Sequence, residues 1–309
     1  MAAHRPAVTS TRNHRSALAT RAALALVVLI SACAPAQRIV AFGDVHGDLD
    51  ATRRALRLAG AIDDQDRWIG GRLIVVQTGD QLDRGDDERA ILELFDRLRV
   101  EAAASGGAFH ALLGNHELMN VRSDLRYVTE GGFEAFDGNP ALYDGDPRLA
   151  EIEPGQRGRV AAFLPGGPYA QLLAERDLIL QLDGTVFVHG GVLPAHVSYG
   201  LERINDETRR WLRGEAELPE ILVGSESPQW TRLYSRDPDA EACETLSLVL
   251  EALEAERMVM GHTVQPEGIT SACDGRVWRI DTGMSSYYEG PLEVLEIVED
   301  SVRILRPNG

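Results

Sequence analysis

Lysine is missing from this 309-residue chain; all 31 basic residues are arginine. That bias is compositional and carries no chemistry of its own. Cysteine is scarce, with Cys33, Cys243 and Cys273 the whole complement. Clusters of thiolates are therefore absent, which removes structural zinc and iron–sulfur centres. Neither Cys243 nor Cys273 sits in a loop that could cradle an anion, so nothing points to a cysteine nucleophile. Positive charge is also short: the net charge is −17. So acidic a body argues against a grip on nucleic acid, whose backbone calls for a basic surface. Internal repeats and low-complexity linkers are absent. Beyond the N-terminal stretch there is no long hydrophobic run.

What is present reads as a globular protein, with 44% apolar and 26% charged residues. The length suffices for a substantial core. The first 36 residues read as an export signal, and 37–309 as a single domain. Arg5, Arg12, Arg15 and Arg21 form a basic start without acids. Ala22–Ile30 follows as an apolar run too short to span a bilayer. Ile30-Ser31-Ala32-Cys33 resembles a bacterial lipoprotein box, with Cys33 carrying lipid in the cell envelope after cleavage. The competing reading is ordinary cleavage after Ala36 and a soluble exported protein. Export leaves Cys243 and Cys273, which either pair as a disulfide or stay as two thiols.

From Arg38 onward, apolar strand patterns alternate with helical ones. Strands are expected at Arg38–Phe42, Arg72–Gln77, Ala108–Leu113, Thr185–Val188 and Arg257–Met260. Helices are expected at Leu49–Ala59, Glu88–Ala104, Arg203–Arg213 and Glu244–Ala255. Residues 276–280 and 292–305 read as closing, mostly antiparallel strands. The alternation predicts an α/β domain with parallel strands. Residues 118–180 are rich in Gly and Pro and read as a loop-and-helix insertion that roofs the site.

Five short motifs stand at expected strand ends. They are Gly43-Asp44-Val45-His46-Gly47, Gly79-Asp80-Gln81-Leu82-Asp83-Arg84-Gly85, Gly114-Asn115-His116-Glu117, His189-Gly190-Gly191 and Gly261-His262-Thr263. Each sets an oxygen or imidazole ligand beside a glycine, where a sharp turn projects the side chain over the sheet edge. Mixed carboxylate and imidazole suit Mn, Fe, Zn or Co, whereas calcium takes oxygen alone. Two cations about 3.5–4 Å apart need a shared anionic ligand.

In this order the motifs resemble the phosphoprotein phosphatase branch of the calcineurin-like metallophosphoesterases. The resemblance runs from Gly43 to Thr263. It implies an α/β/β/α sandwich and hydrolysis of phosphate monoesters with two divalent metal ions, Mn being the working choice. One ion would be held by Asp44, His46 and Asp80, the other by Asp80, Asn115, His189 and His262, with Asp80 bridging. It implies that His116 protonates the leaving oxygen and that Asp83 orients it. Arg84 takes the family's phosphate-holding position, and Arg232 is the candidate for a second arginine, with Arg236 in reserve. Transfer goes straight to water activated between the ions, without a phosphoenzyme. The single His in Gly261-His262-Thr263 departs from the GHxH of many metallophosphoesterases and favours this branch.

Gly114-Asn115-His116-Glu117-Leu118-Met119-Asn120, Asp124-Leu125-Arg126-Tyr127 and Asp281-Thr282-Gly283-Met284-Ser285 further resemble the bacterial Shewanella-like group. That likeness implies a phosphorylated protein or peptide as substrate, with phosphotyrosine preferred. An acidic body is compatible with this, because a metal site supplies positive charge locally. Two rival readings follow: a dinucleoside polyphosphate hydrolase on the same scaffold, and a non-catalytic lipoprotein that binds metal or a phospholigand. His110 and His196 read as ordinary histidines. Asp63–Asp66 reads as a solvated turn, and Asp86-Asp87-Glu88 as a helix start favoured by the macrodipole. Tyr287 and Tyr288 either line the pocket or merely pack.

Overall fold

The computed structural model describes residues 37–137 and 145–307, together with Met1. The export segment with Cys33 and its neighbours lies outside the described residues. Everything below concerns the unit Ala36–Gly309.

The N-terminal half winds as β1 (Arg38–Phe42), α1 (Leu49–Leu58), β2 (Ile74–Gln77), α2 (Glu88–Ala104) and β3 (Ala108–Ala111). β1 pairs in parallel with β2, and β2 with β3. Short α3 (Asn115–Val121), α4 (Glu130–Glu134), α5 (Arg157–Phe163) and α6 (Pro168–Leu173) come next. The chain continues through β4 (Ile179–Leu182), β5 (Thr185–Val188), α7 (Pro194–Tyr199), α8 (Leu201–Leu212) and α9 (Ala240–Ala252). It closes with β6 (Arg257–Met260), β7 (Thr270–Ala272), β8 (Val277–Arg279), β9 (Val294–Val298) and β10 (Ser301–Leu305).

Two five-stranded sheets result, in the orders β10-β9-β1-β2-β3 and β4-β5-β6-β8-β7. Period-two patterning decides how they stack. On β1, Ile39 and Ala41 face the second sheet, where they meet Phe187, Val259 and Ile280. Val40 and Phe42 face the other way, into the cluster built with α1 and α2. On β5 and β6, Val186, Val188, Met258 and Met260 face the cluster with α6, α8 and α9. The result is the α/β/β/α layering expected for this fold class. Each fully buried large side chain contributes about 1.5–3 kcal/mol, so these three cores hold the sheets in register.

Several boundaries differ from the sequence reading. The closing strands are mostly antiparallel, as expected: β9 pairs so with β1 and β10, and β8 with β7, while β8 also runs parallel to β6. β4 was not expected; it pairs with β5 through Asp183-Gly184, both at positive φ, the conformation that two-residue hairpins require. α9 begins four residues before Glu244, because the Asp239 carboxylate accepts the Ala242 N–H at 2.9 Å and caps it. The segment 118–180 is not merely a roof. Phe163, Ala170, Leu173 and Leu178 belong to the main core. Cys243 and Cys273 are joined in a disulfide that ties the first turn of α9 to the residue after β7.

Candidate metal centre and active site

All five motifs emerge at the carboxyl ends of parallel strands. Asp44 and His46 follow β1, Asp80, Asp83 and Arg84 follow β2, and Asn115 and His116 open α3 just after β3. His189 follows β5 and His262 follows β6. Both sheets thus deliver side chains to one edge. The loops are tied together by backbone bonds: Val45 and His46 N–H donate to Asp80 O at 3.1 and 3.0 Å, and Gly261 N–H donates to His189 O at 3.0 Å.

Gly47 and Gly79 take the expected sharp turn, with φ of 67° and 103°, but other motif glycines serve a different purpose. At Gly261 a side chain would meet the Asp44 carboxylate at 2.5 Å, and at Gly114 it would collide with that of Asp80. Close approach of chains therefore requires them. The sharp turns are taken largely by the functional residues themselves: His46, Asp80, Asp83, Arg84 and His262 all have positive φ between 42° and 70°. Strain of roughly 1–3 kcal/mol per such residue persists only where surroundings over-determine it, as functional sites do. One such restraint is Glu117, fully buried. Its carboxylate accepts N–H groups from Gly114, Asp80, Gln81 and Leu82 at 2.7–3.2 Å. It fixes the start of α3 and the Asp80 turn as one body.

The ligand atoms of Asp80, His189 and His262 lie within 4.8 Å of one another, as do those of Asp80, His46 and His116. Asp80 belongs to both sets, the position of a bridging ligand. Its Oδ2 is 3.2 Å from His189 Nε2 and 3.8 Å from His46 Nε2. Asp44 adjoins, at 3.9 Å from His46 and 3.8 Å from His189. Asn115 Oδ1 is 2.9 Å from His189 Nε2.

The donor set fits divalent cations. Each proposed imidazole ligand has one nitrogen against a backbone carbonyl. His46 Nδ1 is 3.1 Å from Leu82 O, His189 Nδ1 2.9 Å from Thr78 O, and His262 Nε2 3.2 Å from Trp230 O. A proton there leaves the other nitrogen free to ligate, the usual support for metal-binding histidine. Burial pushes the His46 pKa well down, and burial with His189 and Arg232 nearby does the same to His262. Three carboxylates, Asp44, Asp80 and Asp281, are buried together. Burial, then Asp281 and Asp80, drive the Asp44 pKa well up. At Asp80 burial also works upward, but His189 and His116 outweigh it and hold the group well down. So dense a set of desolvated anions and neutral imidazoles calls for compensating positive charge.

His116 reaches the cluster of Asp80 and His46 but is engaged elsewhere. Its Nδ1 lies 2.5 Å from Asp83 Oδ2, while Nε2 lies 3.7 Å from Asp80 Oδ2. Burial opposes its charge, yet Asp80 and Asp83 prevail and raise its pKa above the usual value. Arg84 points at the same place, 2.6 Å from His46 Nε2, and its guanidinium is ringed by Tyr127, Tyr287 and Tyr288 at 5.0–5.6 Å. Arg232 is anchored by bonds to His262 O at 2.7 Å and Thr263 Oγ1 at 2.6 Å. A cavity of about 90 Å³ is lined by Arg84, His116, Tyr127, Trp230, Arg232 and Tyr288, together with His46, Asp80, Asn115 and His262 of the candidate ligand set. Arg236, the reserve candidate, does not line it.

The family description of calcineurin-like phosphoesterases matches residues 37–266. The chain belongs to that family. It is accordingly a metal-dependent phosphoesterase. Shewanella-like protein phosphatase 2 of Arabidopsis thaliana is 40% identical over 305 residues, covering 88% of this chain and 78% of that protein. Shewanella-like protein phosphatase 1 of Plasmodium berghei is 28% identical, covering 81% and 68%. Among solved structures, a cold-active protein tyrosine phosphatase at 1.1 Å is 26% identical with a TM-score of 0.67, covering 88% of this chain and 80% of that one. A serine/threonine phosphatase from Saccharomyces cerevisiae, 16% identical with a TM-score of 0.56 over 89% and 81%, shares the fold.

Three buried residues at the phosphoesterase site went without a role in the sequence reading. Glu117 and Asp281 stood inside quoted motifs, and a carboxylate next to a ligand is a signal of support. Arg159 lay in the segment read as a roof. It is fully buried and donates to Asp83 Oδ1 at 3.3 Å. No local pattern marks it.

Proposed function

We propose that this phosphoesterase is a phosphomonoester hydrolase acting on phosphorylated protein or peptide, with phosphotyrosine preferred. The observation that carries the reading is the buried His116–Asp83 pair beside the shared Asp80, with Arg84 and Arg232 lining the same cavity. Asp44, His46 and Asp80 would hold one divalent ion, and Asp80, Asn115, His189 and His262 the other. Bound there, the ions supply Lewis-acid activation of water and positive charge against the phosphoryl oxygens. Manganese is the occupant to try first, since such ligands accept Mn, Fe, Zn or Co.

The chain's own groups do the rest. Arg84 and Arg232 offer guanidinium N–H donors to phosphoryl oxygens. As the bond from phosphorus to the ester oxygen breaks and one to the water oxygen forms, His116 Nε2–H passes its proton to the departing oxygen. Asp83 keeps the imidazolium charged and oriented. The products are inorganic phosphate and the free hydroxyl.

The cavity's volume suits a phosphoryl group, so the leaving group lies at the mouth. There Tyr127 and Tyr287 are exposed beside half-buried Tyr288, a rim suited to stacking a phenyl ring. The tyrosine phosphatase among the structural relatives supports the same preference. Phosphotyrosine, phosphoserine and phosphothreonine peptides with one flanking sequence, plus a dinucleoside polyphosphate, provide the test. The reading expects kcat/KM highest for phosphotyrosine; cleavage of the dinucleotide alone contradicts it. We further propose that the protein is exported and anchored to a membrane by lipid on Cys33, supported by the basic and apolar run before it.

A further inference from the structure

We infer that Arg159 is a positioning residue for the His116 proton donor, acting through Asp83. The inference rests on the reading of His116 just given. Asp83 is completely buried and divides its two oxygens. Oδ2 faces His116 Nδ1 at 2.5 Å, and Oδ1 accepts from Asn120 Nδ2 at 3.0 Å and from Arg159 at 3.3 Å. Without donors on Oδ1, the carboxylate would be free to turn its charge away from the imidazole.

Arg159 is built for that task. Both oxygens of buried Glu88 accept from its guanidinium, and Glu88 in turn accepts the Asp83 backbone N–H. Its Nε donates to Asn120 Oδ1 at 2.8 Å, and another nitrogen donates to Gly132 O at 2.8 Å. Asn120 is thereby oriented with its amide nitrogen toward Asp83, which settles the second donor too. The rings of Phe136 and Phe163 flank the guanidinium at 5.2 and 5.3 Å. A planar fork satisfied on this many sides has one available geometry.

The charge balance points the same way. Asp83 and Glu88 are two buried anions side by side. Arg159 compensates Glu88, which leaves the charge of Asp83 for His116. Removing the guanidinium would take away that compensation together with one of the two donors that hold Asp83 Oδ1. An Asp83 carboxylate that has turned no longer faces His116 Nδ1. The segment 118–180 thus reaches the chemistry from behind, through a side chain that touches no substrate.

Leaving-group dependence is the test, because proton donation matters most where the departing oxygen is a poor leaving group. Arg159→Met and Arg159→Lys would be assayed with their full metal complement on a phosphoserine peptide, phenyl phosphate and 2,4-dinitrophenyl phosphate, with His116→Ala alongside. General-acid catalysis is worth roughly 10²–10⁴-fold. Arg159→Met is expected to lose on the order of 100-fold in kcat on phosphoserine and less than about fivefold on the dinitrophenyl ester. Its dependence on leaving-group pKa should steepen toward that of His116→Ala, and Arg159→Lys should fall between. A merely structural role predicts equal loss on all three esters, in proportion to unfolded protein, and that result would overturn the inference. If His116→Ala itself shows no steepening, the acid reading fails and this inference with it. If Arg159→Met does not fold, Asn120→Ala removes the other Asp83 donor. A steeper dependence in that variant supports the network, and an unchanged one refutes it.

Discussion

Replacing Cys243 and Cys273 together by serine should destabilise the protein without touching catalysis. The bridge spans 30 residues of sequence and encloses β6 and the candidate ligand His262. Cross-linking a loop of that length removes about 12 cal/mol/K of chain entropy from the unfolded state, or about 3.7 kcal/mol at 25 °C. For a domain above 250 residues, each kcal/mol shifts Tm by roughly 2 °C. The double variant should therefore melt about 7 °C lower, and its urea midpoint should fall accordingly. The wild type in reductant should follow it. Neither cysteine lines the catalytic cavity, so kcat of the folded protein at 25 °C should be nearly unchanged. Scanning fluorimetry of oxidised, reduced and serine forms, with activity measured on the same samples, decides it. A shift under 1 °C, or oxidised protein carrying two free thiols, would refute the reasoning.

Other sites yield further expectations. Glu117→Gln places an amide NH₂ against four backbone N–H groups that now share a carboxylate; each lost buried bond costs about 1–3 kcal/mol. Mass spectrometry of the metal content should show reduced occupancy alongside a lower Tm, and unchanged occupancy would contradict the anchoring role. Burial depresses the His196 pKa to about 4, and its Nδ1 accepts the Leu193 N–H at 2.9 Å. A depressed folded-state pKa means that the unfolded chain binds the proton first. Stability should thus fall as pH drops from about 6.5 to about 4, by up to about 3 kcal/mol at 1.36 kcal/mol per unit. Urea midpoints of His196→Gln should show a shallower acid slope than wild type, and parallel slopes would contradict this. Cys33→Ala should abolish incorporation of labelled fatty acid in a bacterial host; retained label would remove the anchor.

Much of the candidate site could be read from sequence because each candidate ligand sits within a few residues of a strand end and beside a glycine. Local patterns alone single out Asp44, Asp80, His189 and His262 as candidates. Local patterns also gave β1, β2, α2 and β6 nearly to the residue. What escaped depends on pairing at a distance. Arg159 meets Glu88 and Asp83, 71 and 76 positions away, and an isolated Arg in a short helix has no signature of that. The cysteine pairing stayed open because bridging is a matter of space. The parallel pairing of β8 with β6 was not specified, since three residues mark a strand but not its partner. β4 was legible after all: Asp183-Gly184 between apolar runs is a hairpin signal that the reading passed over.

The most direct test of the dinuclear account combines metal content with turnover. Metal-free protein, made with a chelator and verified by mass spectrometry, would be titrated with Mn while phosphotyrosine peptide hydrolysis is followed. The account predicts no turnover in the metal-free form, activity that saturates at two equivalents per chain, and loss of at least 10³-fold in Asp80→Asn with the second equivalent no longer bound, consistent with several kcal/mol from metal catalysis. Full turnover in the metal-free form, or saturation at one equivalent with Asp80→Asn still active, would contradict it.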